Sequence, residues 1–140
     1  MVRVYLSLGS NLGNRHKSIL EAIKLIKKEG IRIKKISSVI ETDPVGPPQG
    51  KFLNAVLEIE TDYPPRKLLL KLKQIEKTLG RKKTVRFGPR KIDLDILLYS
   101  GKRVRLPGLV IPHPRMLERD FVMRPLKQIA PKIFQNLVQK

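Results

Sequence analysis

The chain has 140 residues, 41% of them hydrophobic, which is enough for one domain with a buried core and too few for two. It contains no cysteine, which excludes disulfides and thiolate metal sites, and no apolar run approaches the roughly 18 residues that a membrane-spanning helix needs. Its 30 Lys and Arg against 12 Asp and Glu give a formal net charge of +18, which favours an anionic partner without choosing among nucleotides, nucleic acid and acidic membranes.

Val2, Val4, Leu6 and Leu8 alternate with Arg3, Tyr5 and Ser7, a period of two that predicts a strand ending at Gly9. The alternation is also unlike the apolar block of a secretory signal, so the expected compartment is the cytoplasm. After the loop GSNLGN, Ile19, Ile23 and Ile26 recur at helical spacing, with Gly30 placed to end the helix and His16 at its exposed start. GSNLGN lies between strand and helix as a phosphate loop does. It matches neither GxxxxGK[ST] nor GxGxxG, so it reads as a tight polar turn facing the substrate.

Residues 31–42, IRIKKISSVIET, read as a second strand with a bulge at Lys34-Lys35, and DPVGPPQGK as a Pro/Gly loop. Leu53, Ala55, Leu57 and Ile59 alternate with Asn54, Val56, Glu58 and Glu60 in a third strand. Pro64 and Pro65 suit the start of a second helix, whose buried stripe is Leu68, Leu72, Ile75 and Leu79 and whose stop is Gly80. Ile92 to Tyr99 is the fourth strand. Beyond it, GKRVRL reads as an added edge strand, and PRMLERDFVMRPLKQIAP as short helical turns interrupted by Pro125 and Pro131.

The order βαββαβ predicts an α+β, ferredoxin-like fold in a single domain spanning residues 1–140. An antiparallel sheet carries both helices on one face, its fourth strand lies next to or at the centre, and residues 101–140 form a C-terminal extension.

The fourth strand carries the sharpest signal. In FGPRKIDLDILL, Asp93 and Asp95 are two apart and therefore share a face of the strand, where like charges disfavour one another unless a cation lies between them. Solvent exposure or pairing with Arg90 and Lys91 is the plain alternative. On the open face of a sheet, however, a pair of carboxylates suits Mg²⁺, which takes one or two carboxylates and completes its shell with water and substrate phosphate. The preceding stretch strengthens this reading. From Arg66 to Lys91 there are eleven Lys and Arg and one acid, Glu76. GRKKTVRFGPR reads either as a solvated basic loop or as a clamp for a triphosphate, with Arg81 and Arg90 the favoured phosphate ligands and Lys82 solvated.

Other positions are open when taken singly. Glu76 either pairs with Lys73 or Lys77 or orients the base of the basic loop. His113, in VIPHPR, reads as an incidental turn histidine. Phe52 and Phe121, with Asn54, are ordinary core or surface residues, or else an aromatic pair and an amide suited to a flat heterocycle.

Taken together, LGSNLGNR, ETDPVGPPQGKFLNAVLEIET, RFGPRKIDLDILLY and IPHPRMLERDFVMRPL resemble the 6-hydroxymethyl-7,8-dihydropterin pyrophosphokinases of folate biosynthesis, in order and with matching spacing from residue 4 to about residue 131. The resemblance implies transfer of the β,γ-diphosphate of ATP to the pterin hydroxymethyl group, with release of AMP. It implies Asp93 and Asp95 as ligands of two Mg²⁺ ions, and Arg81 and Arg90 as catalytic phosphate contacts. Lys73, Glu76, Lys83, Phe87, Ile96, His113 and Arg119 are the further ATP-binding positions. Phe52 and Phe121 correspond to rings that sandwich the pterin, with Asn54, Thr42, Asp43 and Val45 reading its polar edge.

Some positions depart from the family pattern. Phe87 stands where tryptophan is often found, Lys83 where arginine is frequent, Lys73 in place of a glutamine and Asp43 in place of a proline. The expected partners are the two small molecules, with no nucleic acid and no membrane, and the chain is expected to act as a monomer. Two other classes share parts of this pattern. Nucleotidyl transferases also place aspartates on a ferredoxin-like sheet but release pyrophosphate instead of AMP, and RNA-binding modules share the strand order but need stacking aromatics on the central strands.

Overall fold

The computed structural model describes residues 1–80 and 88–139. The elements run β1 (Val2–Ser10), α1 (Arg15–Lys28), β2 (Arg32–Ile36), β3 (Ile40–Thr42), β4 (Phe52–Thr61), α2 (Pro65–Thr78), β5 (Asp93–Tyr99), β6 (Val104–Leu106), β7 (Leu109–Ile111), a 3₁₀ turn at Met116–Glu118, α3 (Asp120–Ile129) and α4 (Pro131–Val138).

The alternating first strand becomes the middle of an antiparallel sheet ordered β2-β4-β1-β5, with β3 also paired to β4. β1 lies against β4 from Val2 opposite Thr61 to Ser10 opposite Leu53, and against β5 on its other side. This is the ferredoxin-like α+β arrangement the element order predicts. The fourth predicted strand lies next to the central β1, as expected, and among the described residues it is the last strand on that side of the sheet.

Period two then divides the side chains between two layers. Val4, Leu6, Leu8, Leu57, Ile59, Leu94 and Ile96 face Ile19, Ile23 and Ile26 of α1 and Leu68, Leu72 and Ile75 of α2. Both of these helices therefore cover one face. The opposite face presents Tyr5, Val56 and Leu97 to Val122, Met123, Leu126 and Ile129 of α3, making a second core. The residues two positions away from these on each strand, Ser7, Asn54 and Asp95, lie on that same face but line a cleft instead.

Three expectations fail for local reasons. Residues 31–42 split into β2 and β3, because Ser37 N donates to Val56 O at 3.0 Å while its Oγ accepts from Val56 N at 2.8 Å, so a side chain interrupts the ladder. The expected bulge is present where the register shifts between Ile33 and Lys35. GKRVRL does not extend the sheet: Gly108 takes φ 73 and β6 folds back on β7 as a separate two-stranded ribbon. Pro125 does not interrupt a helix either. It lies buried within α3, where its ring forgoes one main-chain hydrogen bond, and Pro131 starts α4. Among the described residues no helix is long and apolar enough to cross a membrane.

Candidate active site

The uncovered end of the sheet forms a cleft of about 270 Å³. Its floor is β1. In register, Gly9 lies between Asn54 of β4 and Asp93 of β5, and Ser7 lies between Val56 and Asp95. The middle strand thus separates an amide and aromatic wall from a carboxylate wall.

On the first wall, Asn54 is buried and its Nδ2 donates to Thr42 Oγ1, which fixes the amide plane beside the Phe52 ring. A Cβ on Gly9 would stand 3.1 Å from Asn54 Oδ1 and 3.4 Å from the Phe52 ring, so the floor stays flat only because residue 9 has no side chain. Thr42, Asp43 and Val45 continue this wall into the Pro/Gly loop, and Phe121 closes it from α3. The Arg119 guanidinium lies 5.6 Å from the centroid of that ring.

On the second wall, Asp93 and Asp95 share the cleft face of β5. Burial first, then the carboxylates of Asp93 and Glu76, push the Asp95 carboxyl up from 3.8 to about 7, against the opposing pull of Lys73 and Arg119. Repulsion of this kind is what a cation relieves. No group of three or more His, Cys, Asp or Glu suited to a metal occurs among the described residues, so a metal held here would take its remaining ligands from water or substrate oxygens. Mg²⁺ fits that donor set.

Glu76 braces this wall from the helix side. It is 2% exposed, its Oε2 accepts from Leu94 N at 2.8 Å, and its Oε1 lies 3.7 Å from Lys73 Nζ. Leu94 sits between the aspartates, and its N–H faces away from β1, so the carboxylate of an α2 residue takes a donor that no strand among the described residues accepts. The pairing with Lys73 expected from sequence is therefore realised, while the basic loop that Glu76 was alternatively expected to orient falls outside the described residues.

A bulge further along β5 places the histidine. Leu97 is the extra residue where the register with β1 shifts, and its carbonyl accepts from His113 N at 2.9 Å. His113 Nδ1 accepts from Arg115 N at 3.3 Å, while burial and then Arg119 hold the imidazole below its ordinary range against the pull of Asp93. The lowered basicity favours the neutral ring, and with Nδ1 accepting from Arg115 N the proton of that neutral form lies on Nε2, a donor suited to an anionic oxygen. Arg90 is half-buried, its Nη1 donating to Gly88 O at 3.1 Å and Pro89 O at 3.3 Å.

Of the residues picked out from sequence, Thr42, Asp43, Val45, Phe52, Asn54, Arg90, Asp93, Asp95, His113, Arg119 and Phe121 line this one cleft. Lys73, Glu76 and Ile96 do not: Lys73 is exposed on α2, Glu76 lies behind β5, and Ile96 is buried in the helix-side core. Arg81, Lys83 and Phe87 fall outside the described residues. Sequence reasoning passed over Gly9 and Asn11. Only the tight turn predicted for GSNLGN pointed to either.

The pattern described as "7,8-dihydro-6-hydroxymethylpterin-pyrophosphokinase (HPPK)" matches residues 5–131. The chain is 45% identical over 141 residues to the 2-amino-4-hydroxy-6-hydroxymethyldihydropteridine pyrophosphokinase of Aquifex aeolicus (strain VF5), covering 100% of this chain and 88% of that protein. It is 49% identical over 128 residues to the folic acid synthesis protein fol1 of Pneumocystis carinii, covering 91% of this chain but 17% of that longer protein. A solved HPPK-DHPS structure in complex with substrates superposes with a TM-score of 0.69 at 16% identity, over 93% of this chain and 40% of that one, a likeness of fold.

Proposed function

The chain belongs to the 7,8-dihydro-6-hydroxymethylpterin-pyrophosphokinase family, and we propose that it transfers the β,γ-diphosphate of ATP to 6-hydroxymethyl-7,8-dihydropterin in folate biosynthesis, with two Mg²⁺ ions as cofactor. The hydroxymethyl oxygen bonds to the β-phosphorus as the bond from that phosphorus to the bridging oxygen of AMP breaks, and the hydroxyl proton passes to water. The observation that carries this reading is the single cleft in which Gly9 separates an amide and aromatic wall from a paired-carboxylate wall.

Each wall supplies a different part of the work. Phe52 and Phe121 stack on the flat ring, while Asn54 and Thr42, with the loop at Asp43 and Val45, read its polar rim. Asp93 and Asp95 hold the Mg²⁺, which when bound neutralises the triphosphate and orients its oxygens. Arg90 and Arg119 supply charged donors to phosphate, and His113 a neutral one from Nε2. Glu76 holds the strand that carries the aspartates. Lys73, outside the cleft lining on α2, is assigned to the nucleotide by its position in the family pattern, and Ile96, its side chain buried, would contribute through its main chain. Arg81, Lys83 and Phe87 are assigned to the nucleotide by their positions in the family pattern. We read the protein as a cytoplasmic monomer working as one domain, with ATP and the pterin as its partners.

The test is the identity of the leaving group. With ATP, Mg²⁺ and hydroxymethyldihydropterin the protein should produce AMP and the pterin diphosphate in equal amounts. Release of free pyrophosphate, with AMP joined to the acceptor, would assign it to nucleotidyl transfer instead.

A further inference from the structure

Asn11 does not line the cleft, yet it touches the segments that form both of its walls. It is 8% exposed. Its Nδ2 donates to Gln49 Oε1 at 2.7 Å and to Gly50 O at 3.0 Å, at the base of the Pro/Gly loop that continues from Asp43 and Val45. Its Oδ1 accepts from Arg90 N at 2.7 Å, and its own N–H donates to Arg90 O at 2.9 Å, on the segment that leads into the aspartates. Gly50 comes so near that a Cβ there would stand 3.4 Å from Asn11 O. One amide thus spends donor and acceptor on two segments that lie 38 and 79 residues further along the chain. An asparagine can do this because its planar head offers both chemistries at once.

We propose that Asn11 is a positioning residue that holds the pterin-side loop and the Arg90 main chain in a common register, so that filling one wall of the cleft tightens ligand binding at the other. The inference rests on the two-substrate reading given above, because only a reaction needing both walls gives the linkage a use. Each half is separable by chemistry. Asn11→Asp keeps an oxygen for Arg90 N and loses the donor to Gln49 and Gly50. Asn11→Ala loses both.

The experiment combines amide hydrogen exchange, steady-state kinetics and binding of the pterin with and without a non-transferable ATP analogue and Mg²⁺. In Asn11→Asp, exchange should quicken in residues 43–51 while the Arg90 amide stays protected; in Asn11→Ala both should quicken. KM for the pterin should rise about fivefold or more in both variants, the loss expected for a hydrogen bond to a neutral group, while KM for ATP rises only in Asn11→Ala. The factor by which the ATP analogue tightens pterin binding should fall towards one in both. Unchanged exchange in residues 43–51, or an unchanged coupling factor with wild-type KM values, overturns the proposal. A wild-type protein that makes no AMP from the two substrates overturns the two-substrate reading, and the coupling with it, even where the exchange pattern appears.

Discussion

Asp95 is costly to the protein that carries it. Its carboxyl titrates at about 7 in the folded chain against an ordinary 3.8, so between about pH 4 and pH 7 the folded state binds more protons at this site than the unfolded state does. The sign follows: the contribution of Asp95 to stability is full below pH 4 and declines as pH rises through 7. In EDTA, the thermal midpoint should therefore fall more between pH 5 and pH 8 in the wild type than in Asp95→Asn, and added Mg²⁺ should recover it at pH 8 in the wild type alone. Asp95→Asn should also lower kcat by a factor on the order of 10³ with the fold intact, because the lost charge acts on the transferring phosphates. Near-normal turnover of that variant would place the metal elsewhere. The DxD spacing made this residue legible from sequence, since two residues on a strand must share a face. Gly9 was not legible, because its requirement comes from Asn54 and Phe52 on another strand. Gly9→Ala should raise KM for the pterin several-fold at little cost in thermal stability, as the crowded amide shifts; an unchanged KM would mean that the floor tolerates a methyl group.

At the scale of elements, β5 pairs with β1 on one side and, among the described residues, is braced otherwise by non-strand partners. Glu76 from α2 accepts from Leu94 N, and the His113 turn donates to Leu97 O. Glu76→Ala leaves the Leu94 N–H buried without its acceptor, at a cost of about 1–3 kcal/mol, and should loosen the aspartates. Glu76→Gln keeps an acceptor and removes a charge that raises Asp95. It should hold the strand and shift the acidic limb of the kcat profile to lower pH, which a pH–rate profile of the two variants would check. Loss of stability in Glu76→Gln equal to that in Glu76→Ala would mean that the charge, and not the acceptor, braces the strand. Apolar periodicity made β1, β4, α1 and α2 readable, because each buries one continuous stripe. It could not reveal that Ser37 would break β2 from β3 or that Pro125 would ride inside α3. The first outcome depends on a partner distant in sequence, Val56, and the second on the burial of Pro125 in the folded chain.

Across the whole molecule, the excess of positive charge and the paired acids have complementary roles. The sequence suggested a sheet with one open face. The structure instead covers part of that face with α3, because Tyr5, Val56 and Leu97 are apolar there while Ser7, Asn54 and Asp95, two positions along each strand, are polar. What remains open is a polar notch on a molecule of net charge +18. A field of that sign draws a polyphosphate towards the notch before any contact forms, and it is screened over roughly 8–10 Å at physiological salt. The alternative is that the lysines are only solvated side chains. The two readings differ in kinetics. Steering predicts that kcat/KM for ATP falls about tenfold between low salt and 0.5 M salt while kcat changes little. Lys24 and Lys27 are exposed on α1, a helix packed on the sheet face opposite the cleft, so Lys24→Gln with Lys27→Gln leaves every cleft contact in place. That double variant should lower kcat/KM for ATP at low salt and converge with the wild type at high salt. Equal values at low salt would show that the helix-layer lysines do not steer the nucleotide and that its capture depends on the cleft's own arginines.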